Sequence, residues 1–471
     1  MVVYDENLLI KSRLRLCLEI LKQYDWLLES YVLDFFIENH MQKLPKSWQE
    51  ILKSVPLEDF YYVLSLSSNK PHQIYPLSLI CLKTLINILV LPRQTDNNNK
   101  ISFFQTTHKN KLKFSEKITY DIASKLNVKL IVDVGSGLGH LTRVLAYGFQ
   151  FTVFAIESNH ELIQQARHLD SEFEMIAQKL LNDEELIELK RNRPIHVNKS
   201  IQFDISSSCF LQDLKDAFGI KDDNFKFGII GLHPCGDLAA YLLNLYTNCP
   251  QAQFINIAGC CYHKLSTTKN ENINTTYPLS NFCKENSTPL SYEAKALACH
   301  AIETYCQRLK SKDYDHLKVH CFRAALEKII NDKWPRYKKM GLSNVKSNPN
   351  LNFKTYCETA LRKLDVKLSE QDLNSEETLR NLQNWQDVVK YYSFRLMLAP
   401  LIETVILLDR KLYLLEKGKK KKCVNFDLIH HIHHQSCIYC YSFLGISCKI
   451  VSGFDPEISP RNQLLISDKS L

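Results

Sequence analysis

The stretch Lys129–His140 reads KLIVDVGSGLGH, and its reading decides the fold. Leu130, Ile131 and Val132 form a short apolar run rich in β-branched residues, the signature of a strand buried on both faces. Asp133 closes it, and Gly135, Gly137 and Gly139 follow at G-x-G-x-G spacing. Leu141, Val144 and Leu145 then recur at helical spacing. A strand, a glycine turn and a helix in this order let backbone N–H groups and a helix N-terminus approach a ligand closely. A dinucleotide fingerprint needs G-x-G-x-x-G, and here the third glycine comes one residue early. An acid at the strand's end also disfavours a pyrophosphate and suits a ligand with a cationic amino-acid end.

These residues resemble motif I of class I S-adenosylmethionine-dependent methyltransferases. In that family the glycine turn accommodates the methionine and ribose parts of the cofactor. The elements downstream fit the same plan. Phe151–Ile156 (FTVFAI) reads as a second strand ending in Glu157, with Asn159 capping a helix whose face carries Leu162, Ile163, Ala166 and Leu169. Glu157 stands about 20 residues beyond the glycines, where Rossmann-like sites place a carboxylate on the ribose hydroxyls. The charged stretch 170–198 is expected to be an inserted, exposed helix. Ile201–Ile205 (IQFDI) is expected as the third strand, and the resemblance then sets Asp204 against the adenine amino group.

Phe225–Leu232 and Gln253–Ala258 read as the fourth and fifth strands. Each is followed by a cysteine-bearing turn, His233-Pro234-Cys235-Gly236-Asp237 and Gly259-Cys260-Cys261-Tyr262-His263. Ligands bind outside the carboxyl ends of such strands, so both turns are expected to face the transferred group. Near the end, CKIVSGF, a turn DPEISPRN and QLLIS form an expected antiparallel hairpin, its first strand parallel to the others. That orientation brings the turn holding Asp455, Arg461 and Asn462 to the active-site edge.

Length and composition set the frame. The 471 residues, 45% hydrophobic and 23% charged, suit a globular protein of two or three domains. The net charge of +8 permits an RNA or other acidic partner without requiring one. The start MVVYDENLLIKSRLR carries no apolar export segment, and Lys83 interrupts the apolar run Tyr75–Leu91, so a cytoplasmic or nuclear protein with no membrane partner is expected. Its sixteen cysteines are then reduced.

The expected organisation is a helical N-terminal domain over 1–95, a methyltransferase core over 101–290, a helical insertion over 291–395, and the last helix and hairpin of the core over 396–471. Residues 264–290, rich in Asn, Thr and Ser, read as a lid or disordered loop. In the last helix Leu401, Val405, Leu408, Leu412 and Leu415 recur every three or four residues, ending at Gly418. Beyond it, HHIHH (430–434) and Cys437-x-x-Cys440 have zinc-ligand types, but no second C-x-x-C fixes a site, and no metal ligand is assigned.

A wider set of motifs is similar to the methyltransferase-like protein 25 group. It comprises DVGSGLGHLTR (133–143), GLHPCGDL (231–238), GCCYH (259–263), YPLS (277–280), FRAALE (322–327), LAP with LLDR (398–410) and FDPEISPRN (454–462). TTHKNKLKF (106–114) departs from that group's usual MSPKKxHEV. The resemblance implies a class I fold with S-adenosylmethionine bound by Asp133, Gly135, Gly137, Gly139, Glu157 and Asp204. The strand order, independently of the resemblance, sets His233, Cys235, Asp237, Cys260, Cys261 and Arg461 on the expected substrate edge, where imidazole chemistry suits His233 as a base with Asp237 orienting it. RNA or protein is the expected acceptor. The amino-directed nucleic-acid motif, Asp or Asn before Pro-Pro and an aromatic, is absent.

Three rival readings stand beside this one. In the first, Cys235 and Cys260 or Cys261 act as the thiols of a cytosine-C5 RNA methyltransferase, although His233 stands beside the Pro-Cys pair where that group carries Asp before Ala-Pro-Cys. In the second, the Cys-Cys-His-like turn serves tRNA ribose methylation. In the third, a catalytically silent methyltransferase fold serves as a binding or scaffold module.

Overall fold

The computed structural model describes residues 5–65, 74–93, 107–202, 205–267, 276–286, 289–348, 350–423, 439–443, 446–457, 459 and 461–469, without side-chain detail for 107–114, 419–423 and 439–443. The chain divides into two units, one of residues 1–15, 92–290 and 405–471, the other of 16–91 and 291–404.

The first unit is built on a seven-stranded sheet. Its strands are β1 (Leu130–Val134), β2 (Thr152–Glu157), β3 (Ile195–Asn198), β4 (Phe227–Gly231), β5 (Ala252–Ile257), β8 (Ser447–Ser452) and β9 (Gln463–Asp468). A separate ribbon pairs β6 (Lys419–Cys423) with β7 (Tyr439–Phe443). The sheet runs β3-β2-β1-β4-β5-β9-β8. Strands β1 to β5 are mutually parallel, β9 is antiparallel to β5, and β8 pairs antiparallel with β9. β8 therefore runs with the parallel strands, and this is the class I methyltransferase sheet with its terminal hairpin.

Alternation along β1 supplies both faces of the core. Leu130, Val132 and Val134 join Phe154, Ile156, Ile229 and Ile255 under the helices Ser207–Phe218 and Leu238–Asn248. Ile131 points the other way, to Val153, Ile230, Phe254, Leu141 and Leu145. Gly228 is where β4 meets the Phe254 ring: a Cβ there would lie 2.1 Å from Phe254 Cζ.

The third strand corrects the sequence reading. It is Ile195–Asn198, pairing from Phe154↔Ile195 to Glu157↔Asn198, while Ile201 and Gln202 lie outside any strand. The stretch 170–198, read as one exposed insertion, holds the end of the helix His160–Ala177, a second helix Asp183–Arg191, and then this strand. Asp204 lies outside the described residues, as do the HHIHH run and Cys437.

The loop 264–290 is also revised where it is described. Tyr277, Leu279, Ser280 and Cys283 are buried, and Asn281–Asn286 is a helix. The buried Asp409 collects this segment, accepting from Leu279 N (2.8 Å), Ser280 N (2.9 Å) and Ser280 Oγ (2.6 Å).

The second unit is helical and gathers around Tyr314–Lys333. Tyr391 donates to Ser30 at 2.5 Å and Arg395 Nη2 to the Leu28 carbonyl at 2.8 Å, joining the early and late helices of that unit. Trp385–Gly418 is long and apolar enough to cross a membrane, and its most apolar window is wholly buried inside the protein.

Candidate active site

The glycine turn leaves β1 at the sheet's carboxyl edge. Gly135, Gly137 and Gly139 have φ of +73°, +56° and +70°, a region that L side chains enter only at a cost. The Ile156 carbonyl accepts from Gly135 N at 2.9 Å and Ser136 N at 3.2 Å, tying the turn to β2. A Cβ at Gly137 would meet nothing within 4 Å, so the space over that residue is open. The Ser136 hydroxyl oxygen is buried and has no hydrogen-bond partner among the described residues.

Glu157 closes the turn from the end of β2. Its Oε2 accepts from Gly137 N at 3.0 Å and its Oε1 from Asn159 N at 2.9 Å. Asn159 in turn caps the next helix through Glu161 N and Leu162 N, as its sequence position predicts. The carboxylate is thus held beside the open glycine by backbone donors.

Asp133 sits beneath the turn, 2% exposed, accepting from Thr142 Oγ1 at 2.6 Å. Burial pushes its carboxyl up to about 6, and the Thr142 hydrogen bond holds it lower than burial alone would. It is a support for the turn from below.

Sequence reasoning missed a second support. Asp170, on the helix after β2, accepts from Arg143 Nη1 at 2.9 Å and faces His196 Nε2 at 2.7 Å. Arg143 Nη2 also donates to the Leu138 carbonyl at 2.6 Å, inside the turn. The His196 ring abuts Gly139, where a Cβ would stand 3.0 Å from its Cε1. Arg143 lies within the quoted motif. His196 had no signal, because it fell in the stretch read as exposed.

The two cysteine turns meet at the same carboxyl edge. Cys235, after β4, places its Sγ 3.1 Å from that of Cys260, after β5, and Cys260 and Cys261 are 3.6 Å apart. The Cys260 sulfur beside it, then Lys264 and Arg461, draw the Cys235 thiol down to about 6 against the cost of burial. Cys260 is pushed up by its contact with the Cys235 sulfur and by burial, and Cys261 is pushed up mainly by burial. Arg461 reaches both Cys235 and Cys261 electrostatically, which puts the β8–β9 turn on this edge as its topology requires. Behind them the Arg410 guanidinium occupies the place of a Gly259 side chain, 2.4 Å from a Cβ built there.

His233 is half-buried just after β4. Asp237 takes the 266–276 loop: its carboxylate accepts from Ser266 N at 2.7 Å, Ser266 Oγ at 2.6 Å and the Thr276 hydroxyl.

A protein-family model described as a methyltransferase domain matches residues 109–268. The chain carries a methyltransferase domain. That segment contains the glycine turn, Glu157 and both cysteine turns. The chain is similar to probable methyltransferase-like protein 25 of Mus musculus, 30% identical over 201 residues. Its likeness to the Homo sapiens protein of that name is 31% over 204 residues. Each match covers 40% of this chain and 32% of the relative, about a third of the relative's length. Among solved structures, the plantazolicin methyltransferase BpumL in complex with SAH aligns at 14% identity over 71% of this chain and 93% of that one, with a TM-score of 0.21.

Proposed function

We propose that this methyltransferase domain uses S-adenosylmethionine and transfers its methyl group to an RNA or protein acceptor. The observation that carries the reading is the pairing of the open glycine with a fixed carboxylate: Gly137 N bonds Glu157 Oε2 at 3.0 Å, with no neighbour within 4 Å of a Cβ at Gly137. The orphaned Ser136 hydroxyl adds a donor with no partner of its own among the described residues. A nucleoside with an amino-acid tail fits this set, because it brings ribose hydroxyls to a carboxylate and polar groups to the turn.

The residues that would hold the cofactor are Gly135, Ser136, Gly137 and Glu157, with Asp204 for its adenine. When bound, it supplies a methyl group on a sulfonium, a strong electrophile. The chain's own work is then positioning the acceptor in line and taking its proton where it has one. His233 stands at the end of β4 to take that proton. Arg461, on the β8–β9 turn, supplies positive charge to the same edge.

Calorimetric titration of the full chain with S-adenosylmethionine and with NAD tests this. Saturable S-adenosylmethionine binding is expected, with none for NAD. Glu157→Ala removes charge-assisted hydrogen bonds and weakens binding by about 10–100-fold. NAD binding, or cofactor affinity unchanged in the variant, overturns the assignment. A tritiated-methyl screen against RNA and protein fractions then identifies the acceptor class. Cofactor binding with no transfer to any fraction returns the silent scaffold.

A further inference from the structure

Nothing in the spacing along the chain marks the cysteines as a ligand set, yet the fold gathers three of them. The Sγ atoms of Cys235, Cys260 and Cys261 all lie within 4.8 Å of one another. Zinc–sulfur bonds of about 2.3 Å in a tetrahedron set sulfurs about 3.8 Å apart. The Cys260–Cys261 separation of 3.6 Å comes within about 0.2 Å of that spacing, and the Cys235–Cys260 separation of 3.1 Å reaches it by opening about 0.7 Å. Cys235 is the exposed member of the three, between buried Pro234 and Gly236, so the opening falls to its side chain.

The surroundings carry the opposite charge. Arg461 Nε is buried and has no hydrogen-bond partner among the described residues. The Arg410 guanidinium lies behind Gly259, the residue before Cys260. The Lys264 side chain abuts the turn at Gly236, where a Cβ would stand 2.7 Å from Lys264 Cβ. Three thiolates on a divalent cation carry one net negative charge, and these cations offset it.

We propose that Cys235, Cys260 and Cys261 form a three-thiolate site for a thiophilic d10 cation, Zn2+ or Cu+. Soft thiolate ligands select these ions. Zinc held by three protein ligands keeps a fourth position for water or substrate. That position lies on the sheet edge where the methyl acceptor docks. This last consequence rests on the methyltransferase reading, whereas the metal site itself does not.

The full chain, purified anaerobically under reductant, is tested by elemental mass spectrometry, and after metal removal by titration with Co2+ and with Cu+ against a cuprous chelator. One bound ion per chain is expected, with a sulfur-to-cobalt charge-transfer band sized for three thiolates. Zinc in the purified protein and tight cobalt binding identify the first ion; retention against the cuprous chelator alone identifies the second. Cys235→Ser, at an exposed position, and Cys260→Ser should each lower affinity at least tenfold, with circular dichroism confirming the fold. Cys437→Ser/Cys440→Ser, removing the other thiol pair, should retain the ion and the band. Failure to bind either ion, a Cys235–Cys260 disulfide in protein supplied with zinc under reductant, or loss of the ion only in the Cys437/Cys440 variant overturns the proposal. None of these readouts uses the cofactor, so their failure leaves the methyltransferase reading standing.

Discussion

Asp133→Asn should make the first unit more stable at neutral pH, and the gain should vanish in acid. Asp133 is wholly buried beneath the glycine turn, and its carboxyl is raised from 3.8 to about 6 by loss of hydration. Below pH 3.8 the folded and unfolded chains both hold the proton, and the group costs nothing. Between 3.8 and about 6 the folded chain keeps the proton while the unfolded chain releases it. Stability therefore falls as pH rises through this window, and the full cost is present above about 6. A shift of about two units corresponds to about 3 kcal/mol. Asparagine stays neutral throughout and can still accept from Thr142 Oγ1.

The expected result is a difference between variant and wild type that grows by about 3 kcal/mol, in the variant's favour, from pH 3.5 to pH 7.5. Because the chain forms two units, a single global transition is a poor probe. Amide exchange of Ile131–Val134 in β1, corrected for intrinsic rates at each pH, reads the unit that matters. Groups titrating elsewhere cancel in the difference. A difference that stays flat across this range, or grows toward acid, refutes the reasoning. Either result would mean that Asp133 is solvated, or paired with a cation, in the folded chain.

Other perturbations test the remaining parts. Gly137→Arg fills the open space over the turn and should abolish S-adenosylmethionine binding in calorimetry while circular dichroism stays native. Gly228→Ala drives a methyl group into the Phe254 ring and should cost about 1–3 kcal/mol in urea unfolding. His196→Ala takes the buried partner from Asp170 Oδ2 and should cost about 3 kcal/mol, loosening the turn enough to weaken cofactor binding measurably. Asp409→Ala strips the acceptor from Leu279 N, Ser280 N and Ser280 Oγ, and limited proteolysis should then cut within 276–286.

What was legible in the sequence was what local signals decide. β1, its turn and β2 announce themselves through apolar runs and glycines that lie within thirty residues of one another. The hairpin's direction follows from topology alone, and the pairing of β5, β9 and β8 agrees with it. β3 failed for an equally physical reason. Its IHVN carries a histidine where a buried strand should be apolar, and it follows a charged run. His196 is tolerated inside only because Asp170, 26 residues earlier, sits 2.7 Å away. IQFDI has the better alternation, which is why the pattern favours it.

The same argument explains the misread loop and sharpens what a functional carboxylate looks like. TTYPLSNF has the composition of a surface segment, but Asp409, 130 residues away, supplies the acceptor that lets its backbone be buried. YPLS and LLDR were both quoted as motifs, and the structure shows that they are two halves of one contact. Asp237 behaves in the same way: assigned to orient His233, its carboxylate accepts from Ser266 and Thr276. Glu157 differs from both. Its closest donors are the backbone N–H groups of Asn159 and of Gly137 in the glycine turn, and it lies beside the glycine of that turn whose Cβ position opens on free space. A carboxylate that ties a distant loop is occupied by the fold. A carboxylate held by a turn that leaves room above it keeps space for a ligand, and on that ground the proposed function rests on Glu157 while Asp237 and Asp409 carry the architecture.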